Sequence, residues 1–218
     1  MVLRSNSPRL AHRLIFLMLL ATVPAMLARV IVVHAIADKY ARVAALDQLS
    51  VTASTLAAKI DGWAAAASDD LQLMSATLDL AAMDAAHQHA LFVRVKDHHS
   101  QFTLVHTLDL QGIDVARSDG HGPLDYHDRQ FCREILAGAS FAQEVDVSGI
   151  TGRPTFTQAV PLIGSDGKLK GILAISMDLA PVNQLLAASG YSQTGSSCLL
   201  DQQGHILVRP AVHVSADQ

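Results

Sequence analysis

Residues 123–179 read PLDYHDRQFCREILAGASFAQEVDVSGITGRPTFTQAVPLIGSDGKLKGILAISMDL, and this stretch decides the fold. Asp128 and Arg129 open a short helical run that ends near Ala137. Asp128 has the residue type of an N-cap, and Gly138 is suited to the positive φ that closes a helix. Three extended segments follow, centred on FAQEVDVS, GRPTFTQAVPLI and KLKGILAISMDL. The last two meet at Ser165-Asp166-Gly167-Lys168, which has hairpin-turn chemistry, and the third ends on Asp178. A short helix followed by consecutive hairpin strands predicts a small antiparallel sheet in an α+β domain.

Working outward, Gln101–Leu110 and Ile113–Ser118 are two more strands flanking a turn at Leu110-Gln111-Gly112. Residues 118–127 are polar and carry Gly and Pro, as a loop does. Ala85–His98 has a helical pattern, and so has Ala180–Ser189. Upstream, Asp38 to about Met83 is predicted as one long helix. Leu49, Leu56, Ile60, Trp63, Ala67, Leu71, Met74 and Leu78 recur at spacings of three, four and seven, which makes one apolar stripe. An ordinary helix pair turning near Gly62 is the other reading. In both, the stripe needs a partner, either the sheet or a second copy of the chain. A weak internal repeat adds to this organisation. Asp109-Leu-Gln-Gly112-Ile-Asp-Val-Ala-Arg117 matches Asp201-Gln-Gln-Gly204-His-Ile-Leu-Val-Arg209 at an offset of 92. It predicts two similar modules in tandem, the second beginning near Tyr191.

The N-terminus, MVLRSNSPRLAHR, carries three arginines and no acid, and Leu14–Ala28 is then free of charge. That run rises only about 22 Å as a helix, short of a hydrocarbon core of roughly 30 Å. Continuing to Ala37 is long enough, with Arg29 snorkelling or facing a bundle interior. Pro24 is tolerable in such a span. Ala35-Ile36-Ala37 resembles a signal-cleavage site, but Arg29 separates it from the apolar run, which favours an uncleaved anchor. The arginine-rich head then stays cytoplasmic and everything beyond Ala37 lies outside. A net charge of −4 with 50% apolar residues gives no sign of nucleic-acid binding. Cys132 and Cys198 form no disulfide framework and read as two small buried hydrophobes.

The anchor and long helix, LDLQGIDVARSD, DYHDRQFCREILAG, TGRPTFTQAVPLIGSDGKLKGILAISMDL and CLLDQQGHILVRP together resemble the Cache family. They are most similar to double-Cache extracellular sensors of bacterial receptors. The resemblance covers nearly the whole chain. It implies PAS-like modules, each a central antiparallel sheet, with ligand held in the membrane-distal one. It also implies a cytoplasmic output such as a histidine kinase, diguanylate cyclase or chemoreceptor domain, none of which is in this sequence. The expected organisation is a cytoplasmic N-terminus (1–13), a transmembrane helix (14–37) and a stalk (38–83), then a distal module (84–189) and the start of a truncated proximal module (190–218). A homodimer through the long helix would cover the apolar stripe. Amino-acid-binding members follow the pocket arginine with x-Trp-Tyr. Here Arg129 is followed by Gln130-Phe131-Cys132, so the arginine and one aromatic remain and the phenol is lost.

Arg129 is the first candidate for ligand contact, because its planar fork can hold a carboxylate in two places. The alternatives are a surface pair with Asp128 or Asp125, or a side chain that braces the helix. Asp178, ending an apolar strand, can accept from a ligand amine or cap the helix from Ala180. Tyr126 and Phe131 can line a pocket, or serve as core aromatics. Arg117 reads as a solvated strand-end charge. The eleven histidines include His87/His89 and His98/His99, and neither pair shares a helical face, so no metal or cofactor is expected. The sequence has no nucleophile-elbow, P-loop or dinucleotide motif, so no enzyme is expected. The reading is a periplasmic sensor of a small molecule in the distal module, with an amino acid or another carboxylate as a candidate ligand. Its rival is an anchored protein-interaction module or receptor fragment without a ligand pocket.

Overall fold

The computed structural model describes residues 8–189, 197–200, 204 and 206–209. Its first helix, α1, spans Pro8–Thr77 and includes Pro24. Contacts divide the chain into two units, residues 1–54 and 55–218.

In the first unit α1 presents apolar side chains on every side, as with Phe16 (66% exposed), Met18 (70%) and Ile31 (67%). The most apolar stretch has a mean hydropathy of 2.3 with no residue buried, so the helix is long and apolar enough to cross a membrane. A soluble protein rarely leaves so large an apolar surface uncovered. Hydrocarbon is the medium in which it costs nothing.

The second unit begins with the C-terminal part of α1. The predicted helix to Met83 ends instead at Thr77. The stripe continued to Leu78 because Leu78, half-buried, packs against the core from just beyond the helix end. Leu80 is fully buried in the link that follows, with Met83 at φ 55°. Asp84 then caps α2 (Ala85–His98) by accepting from the Ala86 and His87 N–H groups.

Five strands follow: β1 (Phe102–Leu108), β2 (Asp114–Arg117), β3 (Ala142–Val147), β4 (Pro154–Ile163) and β5 (Leu169–Asp178). They make one antiparallel sheet in the order β2-β1-β5-β4-β3. Helix α3 (Gln130–Leu136) joins β2 to β3, and α4 (Ala180–Ala188) follows β5. Strands β6 (Leu199–Leu200) and β7 (Ile206–Val208) pair separately. Gly112 and Gly204, equivalent in the internal repeat, have φ of 82° and 87°. Most of the predicted second module lies outside the described residues.

Side-chain alternation gives the sheet two covered faces. Val105, Phe156, Leu173, Ile175 and Met177 pack with Ala67, Leu71, Phe92 and Val182 of the helices. On the opposite face Ala159, Ala174 and Leu108 pack with Phe131, Cys132 and Ile135 of α3. α3 shields only part of that second face, so the ends of β4 and β5 beyond it remain free to form a site.

Two local expectations change. Asp128 does not cap α3. Arg129 occupies the N-cap position without a side-chain cap bond, and Asp128 is an exposed partner of His127. Cys132 is buried as expected but Cys198 is exposed.

Candidate functional site

On β4 and β5, Thr155 pairs with Asp178 and Thr157 with Ser176, so all four project from the α3 face beyond Ala159 and Ala174. Around them lies a cavity of about 390 Å³. Thr103 and Leu104 of β1 close one side. Asp119, Leu124, Asp125, Tyr126 and Arg129 form the wall after β2. The β3–β4 turn, including Ile150 and Arg153, forms the rim. The floor is polar and buried: Thr157 and Ser176 are 5% and 7% exposed, and their hydroxyls are 3.0 Å apart.

The wall after β2 is held from behind by Arg117. Instead of being solvated, its side chain is 2% exposed. Its Nε and Nη2 donate to the two oxygens of Asp119 at 2.9 and 2.7 Å. Nη1 donates to Asp114 and, at 2.9 Å, to the Tyr126 hydroxyl. Asp114 also accepts from His106 Nδ1 at 2.7 Å and from the Leu124 N–H at 3.0 Å. A carboxylate accepts only, so this bond fixes the His106 tautomer with its proton on Nδ1, and Nε2 has no partner among the described residues. Burial disfavours the Arg117 cation, but its bonds to Asp119, Asp114 and Tyr126 outweigh that and raise its pKa. Burial likewise disfavours charge on Asp119. The Arg117 hydrogen bond and the His121 N–H overcome it and lower Asp119 to about 2. Burial raises the Tyr126 phenol. The Arg117 network thus braces the segment from Asp119 to Tyr126, which carries four of the lining residues.

Of the predicted site residues, Arg129, Asp178 and Tyr126 border this one cavity and Phe131 does not. Phe131 is a core residue, 1% exposed, behind Tyr126 at a ring-centroid distance of 6.2 Å. Arg129 is paired, but not with Asp128 or Asp125. Its Nε lies 3.4 Å from Glu144 and its Nη1 contacts Asp146, both on β3. Asp178 accepts from the Ala180 N–H at 2.7 Å and pairs at 3.5 Å with the exposed Arg153. It therefore supports the start of α4 and faces the cavity as well. Thr157, Ser176 and Asp119 were missed by sequence reasoning. The signal for the first two was present: polar residues at alternate positions of otherwise apolar strands, on the face that α3 covers. A second cavity of about 260 Å³ lies on the other side of the Arg117 network, beside His89 and His121. Among the described residues no three His, Cys, Asp or Glu side chains gather as a metal site.

The fold is that of the Cache-type sensor domains. The ligand-binding domain of the Pseudomonas aeruginosa amino-acid chemoreceptor PctC, solved with GABA, matches with a TM-score of 0.61 at 20% identity, over 75% of each chain. The Pseudomonas fluorescens chemoreceptor CtaA domain, solved with L-alanine, matches with a TM-score of 0.62 at 19% identity, over 75% of this chain and 71% of that one. The sensor domain of the Vibrio cholerae histidine kinase DctB matches at 0.55 and 19% identity; 65% of this chain covers 59% of that domain. No protein-family model matches the sequence. No curated protein matches it either.

Proposed function

We propose that this chain is the ligand-sensing input region of a membrane-bound signal-transduction receptor. The cavity at the ends of β4 and β5 would be its ligand site. One observation carries the reading: a 390 Å³ cavity whose floor is two buried hydroxyls and whose wall is braced by a buried arginine. Such a cavity lies within the size range of small-molecule sites and has few, fixed polar groups. The domains of similar fold were solved with GABA and L-alanine, which supports a small amine- or carboxylate-bearing ligand. They are sensor domains, which supports a non-catalytic role.

In this reading residues 14–37 span the bacterial inner membrane with residues 1–13 in the cytoplasm, 38–83 is a stalk, and 84–189 is the distal, periplasmic sensing module. Residues 190–218 begin a proximal one. The long helix pairs with that of a second copy, and the signal passes to a cytoplasmic kinase, cyclase or chemoreceptor domain outside this sequence. Asp178, Tyr126 and Arg129 border the ligand. Phe131 supports Tyr126 from the core. The ligand shifts the receptor only by its differential affinity for two arrangements.

The test is thermal unfolding of the detergent-solubilised full chain against amino acids, carboxylates and amines. At least one compound is expected to raise Tm saturably, and Thr157→Val is expected to blunt the effect. A panel without a single stabilising compound would sink the sensing reading in favour of an anchored interaction module.

A further inference from the structure

We infer that Glu144 and Asp146 set the specificity of the cavity. They fill its carboxylate receptor from within, so its ligand is a small molecule that brings no anionic group to Arg129. The inference rests on the sensing reading above and adds the class of ligand that the site refuses. Two cations line the cavity, Arg129 and Arg153. Arg129 has the planar fork that suits a carboxylate. β3 is an edge strand, and Ala142, Glu144 and Asp146 alternate onto the face that α3 covers. Both acidic side chains therefore reach the start of α3. The Arg129 Nε lies 3.4 Å from each Glu144 oxygen, and Nη1 contacts Asp146. The pairing is partly shielded from water, with 27% of the Arg129 side chain and 14% of the Glu144 side chain exposed.

Each acid is also fixed by a second bond. α3 begins without a side-chain cap of its own, and Glu144 accepts from the Phe131 N–H at 3.4 Å, supplying that acceptor from β3. Asp146 turns one oxygen to the Val147 N–H at 2.7 Å and the other to Arg129. With two carboxylates on one guanidinium, that corner carries a net negative charge. A ligand carboxylate brought to it would have to displace one tethered partner and then lie against the other. Arg153 offers no substitute. Its side chain is 72% exposed on the rim and 3.5 Å from Asp178, so water and another carboxylate already serve it. The rest of the lining, including Leu104, Leu124, Ile150 and the Thr157 and Ser176 hydroxyls, carries no positive charge. A ligand without an anionic group meets none of this opposition.

Butyrate and its neutral isostere butyramide test the inference on the detergent-solubilised full chain, by thermal unfolding and calorimetric titration. Butyrate is expected to leave the wild-type Tm unchanged. The double variant E144Q/D146N keeps the acceptors for the Phe131 and Val147 N–H groups and removes both charges. It is expected to bind butyrate at least about 10-fold more tightly than wild type, the worth of one charge-assisted hydrogen bond, with butyramide unaffected. Adding Arg129→Gln to that variant is expected to abolish the gain, which a merely structural effect of β3 would not do. Saturable stabilisation of the wild type by butyrate overturns the inference and leaves the sensing reading standing. A folded double variant no more responsive to butyrate than wild type overturns it as well, and so does a gain that survives Arg129→Gln. If the double variant does not fold, D146N alone releases Nη1 and is read by the same criterion. If no compound of the wider panel stabilises the wild type, the sensing reading falls, while the exclusion is still decided by butyrate on the variant.

Discussion

Arg117 is the residue on which the site's wall depends. Its guanidinium is buried with Asp114 and Asp119 and also binds Tyr126. Removing one member of a buried charged set leaves the others desolvated and unpaired. Arg117→Ala is therefore expected to cost about 3–5 kcal/mol, read by urea denaturation. Arg117→Lys keeps the charge but not the two-pronged contact with Asp119, and is expected to recover only part of the loss. Asp119 turns the same network into a pH dependence. Its carboxyl falls from an ordinary 3.8 to about 2 in the folded protein. A depressed acid stabilises the fold above its ordinary value and loses that contribution as pH drops through the folded one. Here the window is about pH 4 to 2, and the contribution is about 2 kcal/mol at neutral pH. Asp119→Asn is expected to be less stable than wild type at pH 7, with the gap closing near pH 2. A gap independent of pH would contradict the assignment. Arg117 was not legible as a buried residue because a charged side chain at a strand end ordinarily meets water. Its burial depends on the chain from Asp119 to Tyr126 folding back over it, a non-local event that no local pattern encodes.

At the scale of elements, the alternation of polar and apolar residues made the strands and the two hairpins readable. β4 and β5 carry Thr157 and Ser176 among apolar neighbours, so even the floor of the cavity was written in the period-two pattern. Helix ends were less legible. The stripe ran on to Leu78 because Leu78 packs against the core, but it does so from just beyond the helix end at Thr77, and periodicity does not distinguish the two. Asp128 had the residue type of a cap, yet the sheet's geometry starts α3 one residue later. Where a cap bond does form, at Asp84, its removal is expected to matter: Asp84→Ala should cost about 1 kcal/mol by chemical denaturation. The turn before β2 is stricter. Gly112 has φ 82°, and a Cβ there would lie 2.7 Å from the His127 backbone. Gly112→Ala is expected to destabilise by more than about 1 kcal/mol and to displace the Tyr126 segment, whose N–H bonds the Gly112 carbonyl at 2.8 Å. Urea denaturation measures the first effect, and loss of ligand-induced stabilisation reports the second.

At the scale of the whole molecule the question is which side of the membrane each end occupies. The N-terminal arginines Arg4, Arg9 and Arg13 precede the apolar helix without a compensating acid. Short basic segments resist translocation, which sets the expected orientation with residue 1 in the cytoplasm. Helix length and composition carry the membrane reading, while the direction rests on this charge bias alone. Cysteine labelling separates the two. Cys198 is exposed and Cys132 buried, so Cys198→Ser leaves a background with little reactivity in the folded chain. Into it, Ser5→Cys and Ser50→Cys place single thiols on either side of the apolar run. In intact spheroplasts a membrane-impermeant maleimide is expected to label position 50 and to spare position 5 until the cells are lysed. The reverse pattern would put the sensing module in the cytoplasm, and labelling of both before lysis would mean that the helix does not span. Only the first outcome lets the cavity sample solutes outside the cell, which the proposed role requires.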